Sequence, residues 1–276
     1  MFVQIPIEMK NLYKKKSIWL AFFVFLAAVV HIYSFILSEQ PIAENIPFEA
    51  NHVFYYFVSI QSDMSSYLMI LLPLIPLIVL GDSFISERRT SILTYKLMRM
   101  DSNKYIHSKL ISLAIIAFLL MFVLQSLLFV GSLIVFPISS PQAIETGITP
   151  QFASHLFVNM PWFYVFLIII NSSLMSSFII ILSVTVSMFI RNRYVAIFLP
   201  FALFIGVSII MMAFPAIIGG SGIIVHDISP LAMLGGYFNS SISWWIVPLY
   251  WLVLNTALYI ITVYGYKLQF KKEKLV

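Results

Sequence analysis

Long apolar runs divided by short polar stretches set the pattern of this chain. A helix crossing a bilayer needs about 20 predominantly apolar residues. Runs of that kind are read at residues 17–37, 66–85, 109–136, 161–190, 194–218 and 244–266. The second lies in a stretch with no charged residue between Asp63 and Asp82. The third and fourth are long for a hydrocarbon core of about 30 Å, so they are expected to tilt or to project beyond it. Pro73, Pro76, Pro200 and Pro248 fall inside these runs. Membrane helices tolerate such prolines because neighbouring groups re-satisfy the freed carbonyls. Pro161 stands where a first-turn proline belongs. The expected fold class is an all-α integral membrane protein, one transmembrane domain over residues 1–276.

Composition agrees. Of the 276 residues, 61% are hydrophobic and 10% charged, against roughly 45–50% and about 25% in soluble domains. A globule of this size has too little polar side chain to cover its surface. That excludes a soluble enzyme, a disordered chain and a nucleic-acid module. With no cysteine, disulfide frameworks and thiolate chemistry are excluded too.

The net charge of +5 is informative through its placement. The lysines and arginines form clusters at residues 10–16, 88–109, 191–193 and 267–274. Those are alternate connections of a six-span chain, and the intervening ones carry only acidic charge: Glu39, Glu44, Glu49, Asp63, Glu145 and Asp227. By the positive-inside rule both termini are expected to be cytoplasmic. Residues 1–16 mix Phe2, Ile5, Ile7, Met9 and Leu12 with lysines, a pattern preferred here as an interfacial helix over a free basic tail. The first run is too long for a signal-peptide core.

Several chemistries are missing. No G-x-x-x-x-G-K-[ST] phosphate loop and no H-E-x-x-H occurs. His31, His52, His107, His155 and His226 are scattered, so a metal site is not expected. Gly219–Gly220–Ser221–Gly222 matches a G-x-S-G pattern of intramembrane serine proteases, but the last span supplies no histidine base. A flexible turn explains it better. Gln125, Asn171 and Asn255 lie inside spans, with Ser172, Ser173, Ser176 and Ser177 beside Asn171. They are a possible substrate path. Interhelical hydrogen bonding and small-residue packing is the preferred alternative. No charged residue falls at mid-membrane, which argues against a proton- or sodium-coupled carrier and puts the energy source outside this chain.

The connection 82–108 carries the functional argument. Ile85, Ile92, Leu93, Leu97 and Met100 fall on one helical arc, with Glu87, Thr90, Ser91 and Thr94 opposite. Asp101-Ser102-Asn103 ends that helix and offers a cap for the next. The helix could rest on lipid or dock its free face on a soluble partner.

At this point the chain resembles the permease subunit of type-2 ABC exporters. The resemblance rests on six spans, a basic N-terminal stretch, Glu87-Arg88 directly after the second span, Ser91-Ile92-Leu93, Lys109 opening the third, and Ile228-Ser229-Pro230-Leu231 before the last. Thr90, where glycine is common, and the absence of proline near residues 99–101 depart from it.

The resemblance implies a bacterial cell-membrane half-transporter. It would pair with a second permease copy or homologue and with two separate ATPase subunits. Segment 86–108 would be the coupling element, with Glu87, Arg88, Ile92, Leu93 and Leu97 as ATPase-coupling residues in a helix over Glu87–Met100. The chain itself would be no enzyme and hold no cofactor, ATP and Mg being bound by the partner ATPase. An apolar interior and acidic external connections suit an amphipathic or hydrophobic cargo, such as an antimicrobial or signalling peptide moved outward. A lipid or drug exporter permease, or a non-transporting membrane immunity protein, are the alternatives.

Overall fold

A computed structural model describes residues 16–39, 52–62, 67–89, 92–99, 101–139, 141, 150–190, 192–218, 228–235 and 242–273. Residues 1–15 of the expected interfacial segment 1–16 and the turn at 219–222 lie outside these residues. Parts of the connections expected to be external lie outside them too; three short helices there are described, two of them below and a third at Ser154–Asn159 (α7).

The described residues are almost all helical: α1 (Lys16–Glu39), α2 (Val53–Ser62), α3 (Tyr67–Leu80), α4 (Ser83–Arg89), α5 (Ile92–Arg99), α6 (Ser102–Val135), then α7, α8 (Pro161–Phe189), α9 (Arg193–Ile218), α10 (Pro230–Gly235) and α11 (Ile246–Glu273). Five stretches are long and apolar enough to cross a membrane: Leu68–Arg88, Ser102–Val135, Pro161–Phe189, Arg193–Met211 and Ile246–Leu268. The protein is an all-α, multi-pass membrane protein. α1 covers the whole run expected at 17–37, and its apolar stretch Lys16–His31 is shorter than those five.

Helix α8 is the hub. It packs against α3, α6, α9 and α11, and its apolar stretch is 72% buried, where those of α9 and α11 are only 22% buried. The reason is its row of small polar residues. Asn171, Ser172, Ser173, Ser176, Ser183 and Ser187 are all wholly buried. Lipid offers helices no hydrophobic drive to associate, so close approach and interhelical hydrogen bonds must hold them together. Ser176 donates to Ala117 O and Ser177 to Ala114 O, each at 2.9 Å, stitching α8 to α6. Ser183 lies 3.0 Å from both Gly81 O and Ala196 O, sharing one proton between α3's end and α9. Thr185 meets Thr262 of α11 at 2.6 Å. Gly81 is needed at this crossing, because a Cβ there would stand 2.5 Å from Leu77 O and 3.3 Å from Ser183 Oγ.

Two short helices close the opposite end. α10 is hung from below: Asn171 donates to Met233 O at 2.8 Å, and Ser208 accepts from Leu231 N at 3.2 Å. α2 packs against α6, and Val53 N donates to Pro137 O at 3.0 Å. His52 caps it, Nδ1 accepting from Tyr55 N at 3.1 Å. The ring is buried beside Phe54, Tyr55 and Phe157, and burial pushes its pKa down from 6.5 to about 4.

A neutral His52 ring is required for that cap, since protonation fills the accepting nitrogen. The unfolded chain takes up the proton as pH falls through about 6.5, the folded one only near 4. Stability is therefore full above the higher value and declines towards the lower one. Thermal unfolding across this window should show that decline, on the order of 2–3 kcal/mol for a shift of this size. His52→Asn, which keeps an acceptor but does not titrate, should flatten it.

Candidate functional site

The polar end of the bundle that carries Glu87 holds a buried ionic cluster. Its geometry comes from two helical pairs four residues apart. Ser83 and Glu87 lie on one face of α4, Tyr105 and Lys109 on one face of α6. Lys109 Nζ donates to Glu87 Oε1 at 2.7 Å and to Ser83 Oγ at 2.9 Å. Tyr105 OH donates to Glu87 Oε2 at 2.5 Å. Lys96, from α5, adds a third donor to Glu87 Oε1 at 2.8 Å and lies over the Tyr105 ring, 5.8 Å from its centroid. Lys109 is wholly buried and Glu87 nearly so, while Lys96 is partly exposed.

One carboxylate on α4 thus gathers two ammonium groups and a phenol from α5 and α6. A buried charge is costly unless paired and hydrogen-bonded, so α4, α5 and α6 are held in one arrangement by the need to keep Glu87 partnered. Two further links fasten this end to the bundle. Asp82, buried where α3 gives way to α4, pairs with Arg193 of α9 at 2.6 Å. Arg88 donates to Met188 O at 3.2 Å, a cation on the last turn of α8 where helix carbonyls lack partners.

The expected coupling residues are distributed differently from the single helix read over Glu87–Met100. That helix is two. Glu87 and Arg88 sit on α4, which continues the second span beyond Gly81 and Asp82, whereas Ile92, Leu93 and Leu97 sit on α5. Glu87 turns inward to Lys109, and not outward as the helical arc implied. Leu93 packs against the core; the side chains of Ile92 and Leu97 lie outside the described ones. The α6 helix begins at Ser102, seven residues before the expected span at 109, and Asp101 occupies the cap position without a side-chain cap bond. Lys96, Tyr105 and Ser83 were absent from the expected set. Ser83 and Tyr105 stand four residues from Glu87 and Lys109, which places each pair on one helix face but does not show that the faces meet; Lys96 has no such spacing.

The three polar residues of the possible substrate path do not converge. Gln125 is fully buried in α6, and neither amide atom has a protein partner. Asn171 reaches towards α10. Asn255 donates to Leu174 O and Trp251 O at 3.0 and 2.8 Å, beside a lateral groove of about 360 Å³ between α6, α8 and α11. Among the described residues no three histidine, aspartate or glutamate side chains gather to hold a metal. Comparison with known protein families and with curated proteins finds no match.

Glu87→Gln strands the buried Lys109 and should cost about 3–5 kcal/mol. Adding Lys109→Met should recover more than half of that loss, because the second change removes the stranded charge. Equilibrium unfolding in detergent, followed by tryptophan fluorescence, reads both. Additive losses would contradict the ionic account.

Proposed function

We propose that this chain is the membrane subunit of an ATP-driven exporter, coupled through α5 to a separate ATPase. The observation that carries this reading is the two-sided character of α5. One side is tied through Lys96 and Glu87 to Lys109, hence to a helix that continues into the membrane. The other presents Met98, 79% exposed, beside an exposed Arg99. A short helix fastened rigidly to two spans and offering an apolar knob with a basic neighbour suits a socket with an acidic rim on a soluble partner.

In this reading, closure of the ATPase pair pushes α5. The Glu87 cluster passes the displacement to α3, α4 and α6 together, and Arg88 and Asp82 extend it to α8 and α9. The bundle is biased between two packings, in a dimer with a second permease subunit. All six spans cross, α1 included, and the basic connections and both termini face the cytoplasm of a bacterial cell. The cargo is amphipathic or hydrophobic, a peptide first.

Reversing Glu87 would confound coupling with folding, since it would bury three cations together. The exposed face gives the cleaner test. Met98→Asp should leave the thermal midpoint unchanged, abolish co-purification of the companion ATPase, and abolish ATP-dependent export. Undiminished co-purification and export would refute the coupling role of α5.

A further inference from the structure

The lateral groove between α6, α8 and α11 is unused by the proposed coupling. It opens sideways, flanked by Leu119 and Leu252, both exposed on the lipid-facing surface, so its occupant comes from the bilayer. Its volume, about 360 Å³, is within the range of ligand sites, roughly 300–1,000 Å³.

The polar groups on its wall are already committed inside the protein. Ser177 donates to Ala114 O, Thr256 to Leu252 O, and the Asn255 amide to two carbonyls. Tyr259 OH is paired with His107 Nδ1 at 2.5 Å. The amide and hydroxyl hydrogens of Ser177, Thr256 and Asn255 are thereby spent, and the acceptor Asn255 Oδ1 is shut off from the surface. A peptide entering here would bring backbone N–H and C=O groups that the wall could not satisfy, at several kcal/mol each in lipid. An acyl chain brings none, and Phe118, Leu174 and Ile181 give it apolar contact.

Charge sets the other end. Along α6 the groove face continues from Phe118 through Ala114 and Ile111 to His107 and Lys104, at steps of three and four residues. Lys104 is exposed, one turn beyond the His107–Tyr259 pair, at the Glu87 end of the bundle. A basic side chain beyond the end of an interhelical groove, on the same helix face, is placed to hold an anionic headgroup.

We infer that this groove binds one anionic phospholipid, its acyl chain between α6 and α11 and its phosphate at Lys104. The site needs neither nucleotide nor ATPase, so it stands or falls apart from the exporter reading.

The test is retention of lipid by the purified full chain, read by native mass spectrometry. Phosphatidylglycerol and phosphatidylcholine of identical chains are added in turn, with inorganic phosphate as a third arm. Phosphatidylglycerol should be retained about fivefold more than phosphatidylcholine, and phosphate not at all. Lys104→Gln should reduce phosphatidylglycerol to the phosphatidylcholine level. Leu252→Trp, filling the groove from an exposed position, should reduce both lipids without shifting the thermal midpoint in lipid-free detergent. Equal retention of the two lipids, indifference to Lys104→Gln, or full retention by Leu252→Trp would each overturn the proposal. So would capture of phosphate alone.

Discussion

Inside a bilayer no water stands ready to hydrogen-bond a polar group, so such groups are answered by other parts of the chain, with Gln125 an exception. The architecture follows from that demand. The serines of α8 are answered by carbonyls of α3, α6 and α9, and the carbonyls they reach are those of small residues, Gly81, Ala114, Ala117 and Ala196. Small residues let the backbones come near enough for a hydroxyl to bridge them. The same row of side chains therefore provides both the close approach and the bonds that exploit it.

The ionic end of the bundle obeys the same rule at higher stakes. A buried lysine with no carboxylate would be far more costly than an unpaired serine. Lys109 is answered by Glu87, and Glu87 in turn collects Lys96 and Tyr105. α4 and α6 cannot separate there without stranding charge, and Lys96 ties α5 to the same carboxylate. That is the property a lever needs, and it is why a helix exposing Met98 on its far side is read as a handle. The ring of exposed apolar side chains on α9 and α11 is, by contrast, simply the surface presented to lipid.

Much of the fold was legible in the sequence because a bilayer sets helix length directly. The runs at 161–190 and 194–218 match α8 and α9 within one residue, and Pro161 opens α8 as its position required. The site was harder to read, for two reasons. Periodicity showed that Glu87 lay opposite the apolar arc of segment 82–108, which reads as solvent-facing when the helix is taken alone. Only the neighbouring helix reveals Lys109 as its partner, and tertiary pairing leaves no trace in a single-helix pattern. Likewise Asn171, Gln125 and Asn255 share a composition and a depth, which suggested one path. Depth alone does not fix the face of a helix, and they turn towards α10, the buried interior and the lateral groove.

The central claim is that Glu87 makes α5 one rigid body with the membrane-spanning part of α6. The chain contains no cysteine, so spin labels can be placed at Met98→Cys and Ile134→Cys, both at exposed positions, without further changes. Pulsed electron paramagnetic resonance would then give the distribution of distances between them. The account predicts a single narrow distribution that broadens when Glu87→Gln is added. A distribution already broad with Glu87 intact, or one equally narrow without it, would contradict it.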